Sequence, residues 1–234
     1  NPRASRTVPF VSKATGVPWA KLAAKVMTGL TLDDLGVAER PRPAHTSVKE
    51  SVFPFAKFPG VDVILGPEMR STGEVMGIDT TYPMAFAKSQ MAAGTSLPTR
   101  GTVFLSVCDG DKPAAVQVAR ELEALGFTLV ATHGTHAAIA RAGIEATRLN
   151  KLAEGRPNVA DLITNGEVSL LINTPTRKGC TTDEGRIRAM AVRYNTPLVT
   201  TMTGAHAVAG AIAALVAGLA GDGDPNSAWG VRAL

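Results

Sequence analysis

The feature that most constrains this chain is the alternation that begins after Gly101. Residues 102–107, 127–131, 169–173 and 198–201 are short apolar or β-branched runs, 146–149 is a weak strand, and residues 113–125, 134–142, 159–165, 183–194 and 206–220 between and after them carry helical spacing. A helix between two strands returns the chain to its starting edge. Consecutive strands then run parallel, and both faces of the sheet need helices over them. Aromatic residues make up only 5% of the sequence while Gly alone occurs 23 times, a balance that suits close helix-on-sheet packing better than a β-sandwich. The expected fold class is therefore α/β. Such sheets take ligands outside the carboxyl ends of their strands, near the point where the strand order reverses.

The part before this alternation is less regular. Residues 1–10 read as extended and turn-rich, 17–28 as a helix with Pro18 in its first turn and Gly29 as its stop, and 31–36 as a short capped helix. Arg40-Pro41-Arg42-Pro43 is a rigid connector. Residues 47–58 alternate as a strand broken at Pro54, 61–77 read as loop and short strand, and 79–93 as a helix. Residues 94–100 are rich in Gly, Thr, Ser and Pro and read as a linker.

The strand ends hold the chemistry. After the first strand of the alternation comes Ser106-Val107-Cys108-Asp109-Gly110-Asp111-Lys112-Pro113. The second ends in Thr132-His133-Gly134-Thr135, the third in Asn150-Lys151, and the fourth in Asn173-Thr174-Pro175-Thr176-Arg177-Lys178. Hydroxyls, amides, an Asn side chain and cations thus reach one edge of the sheet, a donor set that fits an anion such as a nucleotide monophosphate. For the Thr132–Thr135 turn taken alone, simple helix capping is an equal reading. Asp111 as a cap with Lys112 solvated is likewise an equal reading of its loop. His133 and His136 are candidates for acid–base work, but His at a helix start more often forms a hydrogen-bonding wall. Cys108 has no evident activator. The edge reads as built to bind.

Other classes are disfavoured. A net charge of +4 without blocks of Lys or Arg interleaved with aromatics argues against a nucleic-acid surface, and residues 206–220 are too short to span a membrane. Cys108 and Cys180 give no metal-ligand spacing or disulfide framework, so a reducing cytosol is the expected compartment. The opening Asn1-Pro2-Arg3, without Met, predicts a piece of a longer polypeptide.

Four stretches carry a family resemblance: residues 1–10, Ser47-Val48-Lys49-Glu50, Lys57-Phe58-Pro59-Gly60-Val61-Asp62, and the string from Leu65 to Gly77. Together they resemble the carboxyl-terminal region of the carbamoyl phosphate synthetase large subunit. The resemblance implies that residues 1–93 are the end of an ATP-grasp α+β unit, 94–100 a linker, and 101–234 a Rossmann-like allosteric domain related to methylglyoxal synthase. In that family the whole enzyme is a ligase that makes carbamoyl phosphate from bicarbonate, two ATP and ammonia supplied by a glutaminase small subunit. It uses Mg2+ or Mn2+, answers to UMP or IMP, and forms oligomers.

Carried over by position, Asn1 implies a metal ligand on ATP, and Arg3 a group near the transferred phosphate. Ser106, Lys112, Thr132, Thr135, Lys151 and Asn173 match nucleotide-effector contacts, and Arg177, in a loop that varies within the family, is counted with them. Glu50 and Thr200 match contacts to ornithine, although Leu198 stands where ornithine-responsive members carry Tyr. The chain alone is expected to be inactive as a ligase. Two rival readings stand beside this one. A methylglyoxal-synthase-type lyase would need a catalytic Asp where this chain reads Glu154-Gly155-Arg156-Pro157. A structural oligomerisation module would use the Ala/Gly-rich last helix against another copy.

Overall fold

The computed structural model describes residues 5, 7–37, 43–52, 73–150, 152–175 and 182–222. Its centre is a five-stranded, all-parallel sheet built from β3 (Thr102–Ser106), β4 (Thr128–Thr132), β5 (Thr147–Leu149), β6 (Leu170–Asn173) and β7 (Leu198–Val199), in the order β5-β4-β3-β6-β7. The strands connect through α4 (Lys112–Ala124), α5 (His133–Arg141), α6 (Val159–Thr164) and α7 (Asp183–Arg193), and α8 (Met202–Asp222) follows the last strand. This is the α/β class expected. Winding runs outward from β3 in one direction and then restarts on its other side at β6, so the order reverses between β3 and β6.

Period-two alternation assigns each strand residue to a face. Val103, Leu105, Leu129, Ala131, Leu170 and Ile172 pack with Ala115, Val118, Ala119 and Leu122 of α4, Ile139 of α5, and Ala205, Val208, Ala209 and Ile212 of α8. Their neighbours Phe104, Val130, Leu149 and Leu171 pack on the other side with Val159 and Ile163 of α6 and Ile187 and Ala191 of α7. β3, β4 and β6 are thus apolar on both faces, which is why these runs read as nearly continuous hydrophobic stretches, whereas the edge strand β5 exposes Thr147 and Arg148. Local signals start the helices of the second face. Asn158 forms a reciprocal capping box with Asp161 at α6, and Thr182 accepts from the Gly185 amide at α7.

Before the sheet, α1 (Thr7–Thr15) and α2 (Trp19–Met27) precede an antiparallel ribbon of β1 (Thr46–Val52) and β2 (Gly73–Asp79), followed by α3 (Tyr82–Ala92). Three expectations change here. Residues 7–10, expected to be extended, form the start of the helix Thr7–Thr15, because Pro9 falls in the first turn, where a missing amide costs nothing, and Ser5 Oγ accepts from the Thr7 amide. Residues 31–36 are turns, closed by the Asp34 carboxylate, which accepts from both the amide and the hydroxyl of Thr31. Asp79 ends a strand instead of starting a helix, and its carboxylate accepts from the Thr80 amide and hydroxyl.

Helix α3 bridges the two parts. One side lies on the ribbon, and another meets α8, where Ala87 packs with Ala211 and Leu215 and with the partly buried Met84, Phe86 and Leu97. The small residues of α8, read above as a surface for a second copy, are in contact with the sheet on one side and α3 on the other.

Two carboxylates in this bridge titrate with opposite consequences. Burial by itself would raise the Asp79 carboxyl, but the Lys88 ammonium at 2.7 Å and the Thr80 hydroxyl and amide hold it below 3.8. Its stabilising contribution is present above pH 3.8 and lost as pH falls through its depressed value. Glu50 is the reverse. Burial pushes its carboxyl above 4.5, against the opposing hydrogen bond from Gln90 Nε2 at 2.9 Å. Between 4.5 and the raised value the folded chain holds a proton that the unfolded chain has released, so stability falls as pH rises through that window. Glu50→Gln keeps an acceptor for Gln90 and removes this loss. Thermal melts are expected to show the variant gaining on the parent at pH 7 relative to pH 4.5; a difference independent of pH would mean that Glu50 is not held in this state.

Candidate functional site

The reversal point puts the ends of β3 and β6 side by side, with Ser106 paired to Asn173 in the strand register. Three further elements meet them. At the end of β4 the Thr132 hydroxyl donates to Ser106 Oγ at 3.1 Å. From the first turn of α5, Thr135 Oγ1 accepts the Val107 amide at 3.1 Å. After β6, Thr174 Oγ1 accepts the Cys108 amide at 3.0 Å, while the Thr174 amide donates to the Ser106 carbonyl oxygen. Thr132, Thr135, Asn173 and Thr174 are all buried. The loop leaving β3 is therefore held on one flank by a hydroxyl of α5 and on the other by one just after β6.

These partners rule out side-chain capping, one of the readings left open by sequence. Neither Thr132 nor Thr135 is spent as a side-chain cap on α5, whose first turn has no side-chain cap at all. The leading amides of a helix have no intrahelical acceptor, and with the helix dipole they form an anion-binding end. A cation sits over that end. A Cβ added at Gly134 would lie 3.1 Å from Lys112 Nζ, so the ammonium occupies space that the missing side chain leaves open. Lys112 also pairs with Asp109 at 2.6 Å, and that carboxylate is 95% exposed. An exposed pair of this kind is weak and gives way readily to a better-placed anion.

The remaining candidates fall in different places. Asp111 has no capping bond to α4; its carboxylate accepts from the Cys108 thiol. His133 is exposed at the start of α5, and the His136 ring nitrogen faces the Ala146 carbonyl oxygen at 3.1 Å, so among the described residues neither hydrogen-bonds the other polar groups of the rim. Arg156 is 83% exposed and paired with Asp161. Glu50 lies on β1 against Gln90 of α3, and Thr200 lies between β7 and α8. Asn1, Arg3, Lys151 and Arg177 fall outside the described residues, as does most of the Leu65–Gly77 string.

Sequence reasoning missed Arg188. It sits on α7 with 0% exposure, and its Nη1 donates to Asn173 Oδ1 at 2.8 Å. A signal was present: Arg188 falls beside Ile187 and one turn before Ala191, on the helix face that the core occupies. Among the described residues no cluster of His, Cys, Asp and Glu could hold a metal ion, and no helix is long and apolar enough to cross a membrane.

Comparison with known proteins adds relatives to this geometry. The MGS-like domain family matches residues 114–200. The chain is 55% identical over 215 residues to a protein named "Carbamoyl phosphate synthase large chain" from Rhodopirellula baltica, and 56% identical over 215 residues to one of the same name from Myxococcus xanthus. It is 53% identical over 216 residues to another of that name from Archaeoglobus fulgidus. Each match covers 92% of this chain and 20% of the relative, so the chain spans about a fifth of the length of the curated relatives it matches.

Proposed function

Because this chain belongs with the carbamoyl phosphate synthase large chains, matching their C-terminal region and carrying an MGS-like domain, we propose that its parallel-sheet part is a regulatory module for a nucleoside monophosphate. The observation that carries this reading is the uncapped start of α5 with the Lys112 ammonium over Gly134. The phosphate takes the amides of that first turn and the Lys112 charge. The nucleoside extends toward the ends of β3 and β4, where the Ser106 and Thr132 hydroxyls meet; in sequence Lys151 follows β5 and Arg177 follows β6. Binding of a dianion here displaces Asp109 from Lys112. UMP and IMP both satisfy that chemistry.

The rest of the proposal concerns the longer protein. Residues 1–93 form the closing part of an ATP-grasp unit, 94–100 join it to the module, and 101–234 are the module itself. Asn1 would ligate Mg2+ or Mn2+ on ATP, and the guanidinium of Arg3 would steady the transferring phosphoryl group. The whole assembly, with its glutaminase small subunit, makes carbamoyl phosphate from bicarbonate, ammonia and two ATP. Glu50 and Thr200 would take the ammonium ends of ornithine, with Leu198 leaving that contact weaker. α3, in contact with both ribbon and α8, is the mechanical link between the effector module and the preceding unit.

Calorimetric titration of the chain with UMP and IMP tests the site. Saturable heat at micromolar ligand is expected, and none at high micromolar concentration removes the reading. A lyase acting on dihydroxyacetone phosphate is disfavoured because the resemblance puts Arg156 at the position of the catalytic Asp, and its guanidinium is exposed and paired with Asp161. Incubation with dihydroxyacetone phosphate is accordingly expected to yield no methylglyoxal.

A further inference from the structure

Among the described residues one guanidinium, that of Arg188, is completely buried. Arg188 is 0% exposed, as is the Asn173 side chain whose oxygen it holds at 2.8 Å. Placing a charge in a helix face that otherwise packs Ile187 and Ala191 is costly, so the position calls for a function that an apolar residue could not fill. What it does is visible one bond further on. With Oδ1 fixed by Arg188, the amide plane of Asn173 is set, and Nδ2 donates to the Ser106 carbonyl oxygen at 3.3 Å. Ser106 in turn receives the Thr132 hydroxyl on its Oγ. A continuous line of polar contacts therefore runs from α7 through β6 and β3 to β4, crossing the sheet where the strand order reverses.

We propose that Arg188 is a positioning residue for the phosphomonoester site: by clamping Asn173 it fixes where Ser106 and Thr132 present their hydroxyls, and it does not itself touch the ligand. This rests on the nucleotide reading above and extends it to a residue outside the rim. The planar fork of arginine suits the task, since an ammonium would supply charge without holding the amide plane. Asn173 is accordingly more a strut than a free donor.

The test uses the 234-residue chain and UMP, with affinities measured well below each variant's unfolding midpoint. Arg188→Lys keeps the charge and is expected to weaken UMP about tenfold, as is Asn173→Ala, the scale of losing one buried charge-assisted hydrogen bond. The double variant should bind no more weakly than Asn173→Ala alone. In nitrogen-15 spectra the two Asn173 amide protons, distinct in the parent, should draw together in Arg188→Lys. Parent-like affinity in Arg188→Lys overturns the positioning role and leaves the nucleotide site standing, and so does a loss that persists undiminished on the Asn173→Ala background. Absence of UMP binding in the parent removes the site and this inference with it. Should Arg188→Lys fail to fold, Arg188→Gln, which drops the charge but keeps an amide donor, carries the same comparison with the same expected loss.

Discussion

Replacing Gly77 by alanine is expected to cost about 3 kcal/mol of stability, near the upper end for one methyl group forced into a packed interior. A Cβ at this position would overlap the Ala85 carbonyl oxygen and stand 2.5 Å from the Ser89 amide nitrogen. Both are backbone atoms of α3, so no rotamer change makes room. The helix must lift from the ribbon, and lifting it also disturbs the seam where Ala87 meets Ala211 and Leu215. Gly210→Ala is the matched control, because a Cβ there finds open space and alanine is favoured over glycine inside a helix by about 1 kcal/mol. Denaturant unfolding of the two variants should move in opposite directions. An unchanged midpoint for Gly77→Ala would show that the ribbon and α3 are not packed this closely in solution.

Lys112→Ala is expected to weaken UMP about thirtyfold, within the ten- to hundredfold that loss of a charge-assisted contact to phosphate brings. The effect should shrink as salt is added, since the ammonium is about a quarter exposed and its attraction to the phosphate is partly screened. Asp109→Asn is expected to do the opposite on a smaller scale, tightening UMP about two- to threefold by freeing Lys112 from its exposed partner. If Lys112→Ala binds UMP as the parent does, the ammonium over Gly134 does not face the phosphate, and the anion must sit elsewhere on the rim.

Much of this architecture could be read directly. The runs that became β3, β4 and β6 are apolar at successive positions because α4, α5 and α8 cover one face and α6 and α7 the other. Helix limits shifted by a few residues. α5, for instance, begins at His133, since Thr132 takes the extended backbone of a cap while sending its hydroxyl to Ser106. The largest misreadings lie before the sheet. Pro9 was compatible with a helix start as well as with a turn, and Asp34 closes a turn with the side-chain bonds that elsewhere begin a helix. Local sequence offers both outcomes in such places.

The candidate site divides along the same line. The chemical types at the strand ends were legible, because a parallel α/β sheet delivers its polar loops to one edge whatever the order of its strands. Composition and periodicity by themselves determined that the second part of this chain is such a sheet, covered on both faces, with hydroxyls and cations along its carboxyl edge. Only the tertiary structure decided that β3 and β6 are neighbours, that Thr132 meets Ser106 and Thr135 meets Val107, and that Arg188 is buried against Asn173. Strand order and side-chain partnership join residues far apart in the chain, and they are fixed by which faces fit together when the core closes. No local pattern encodes that choice.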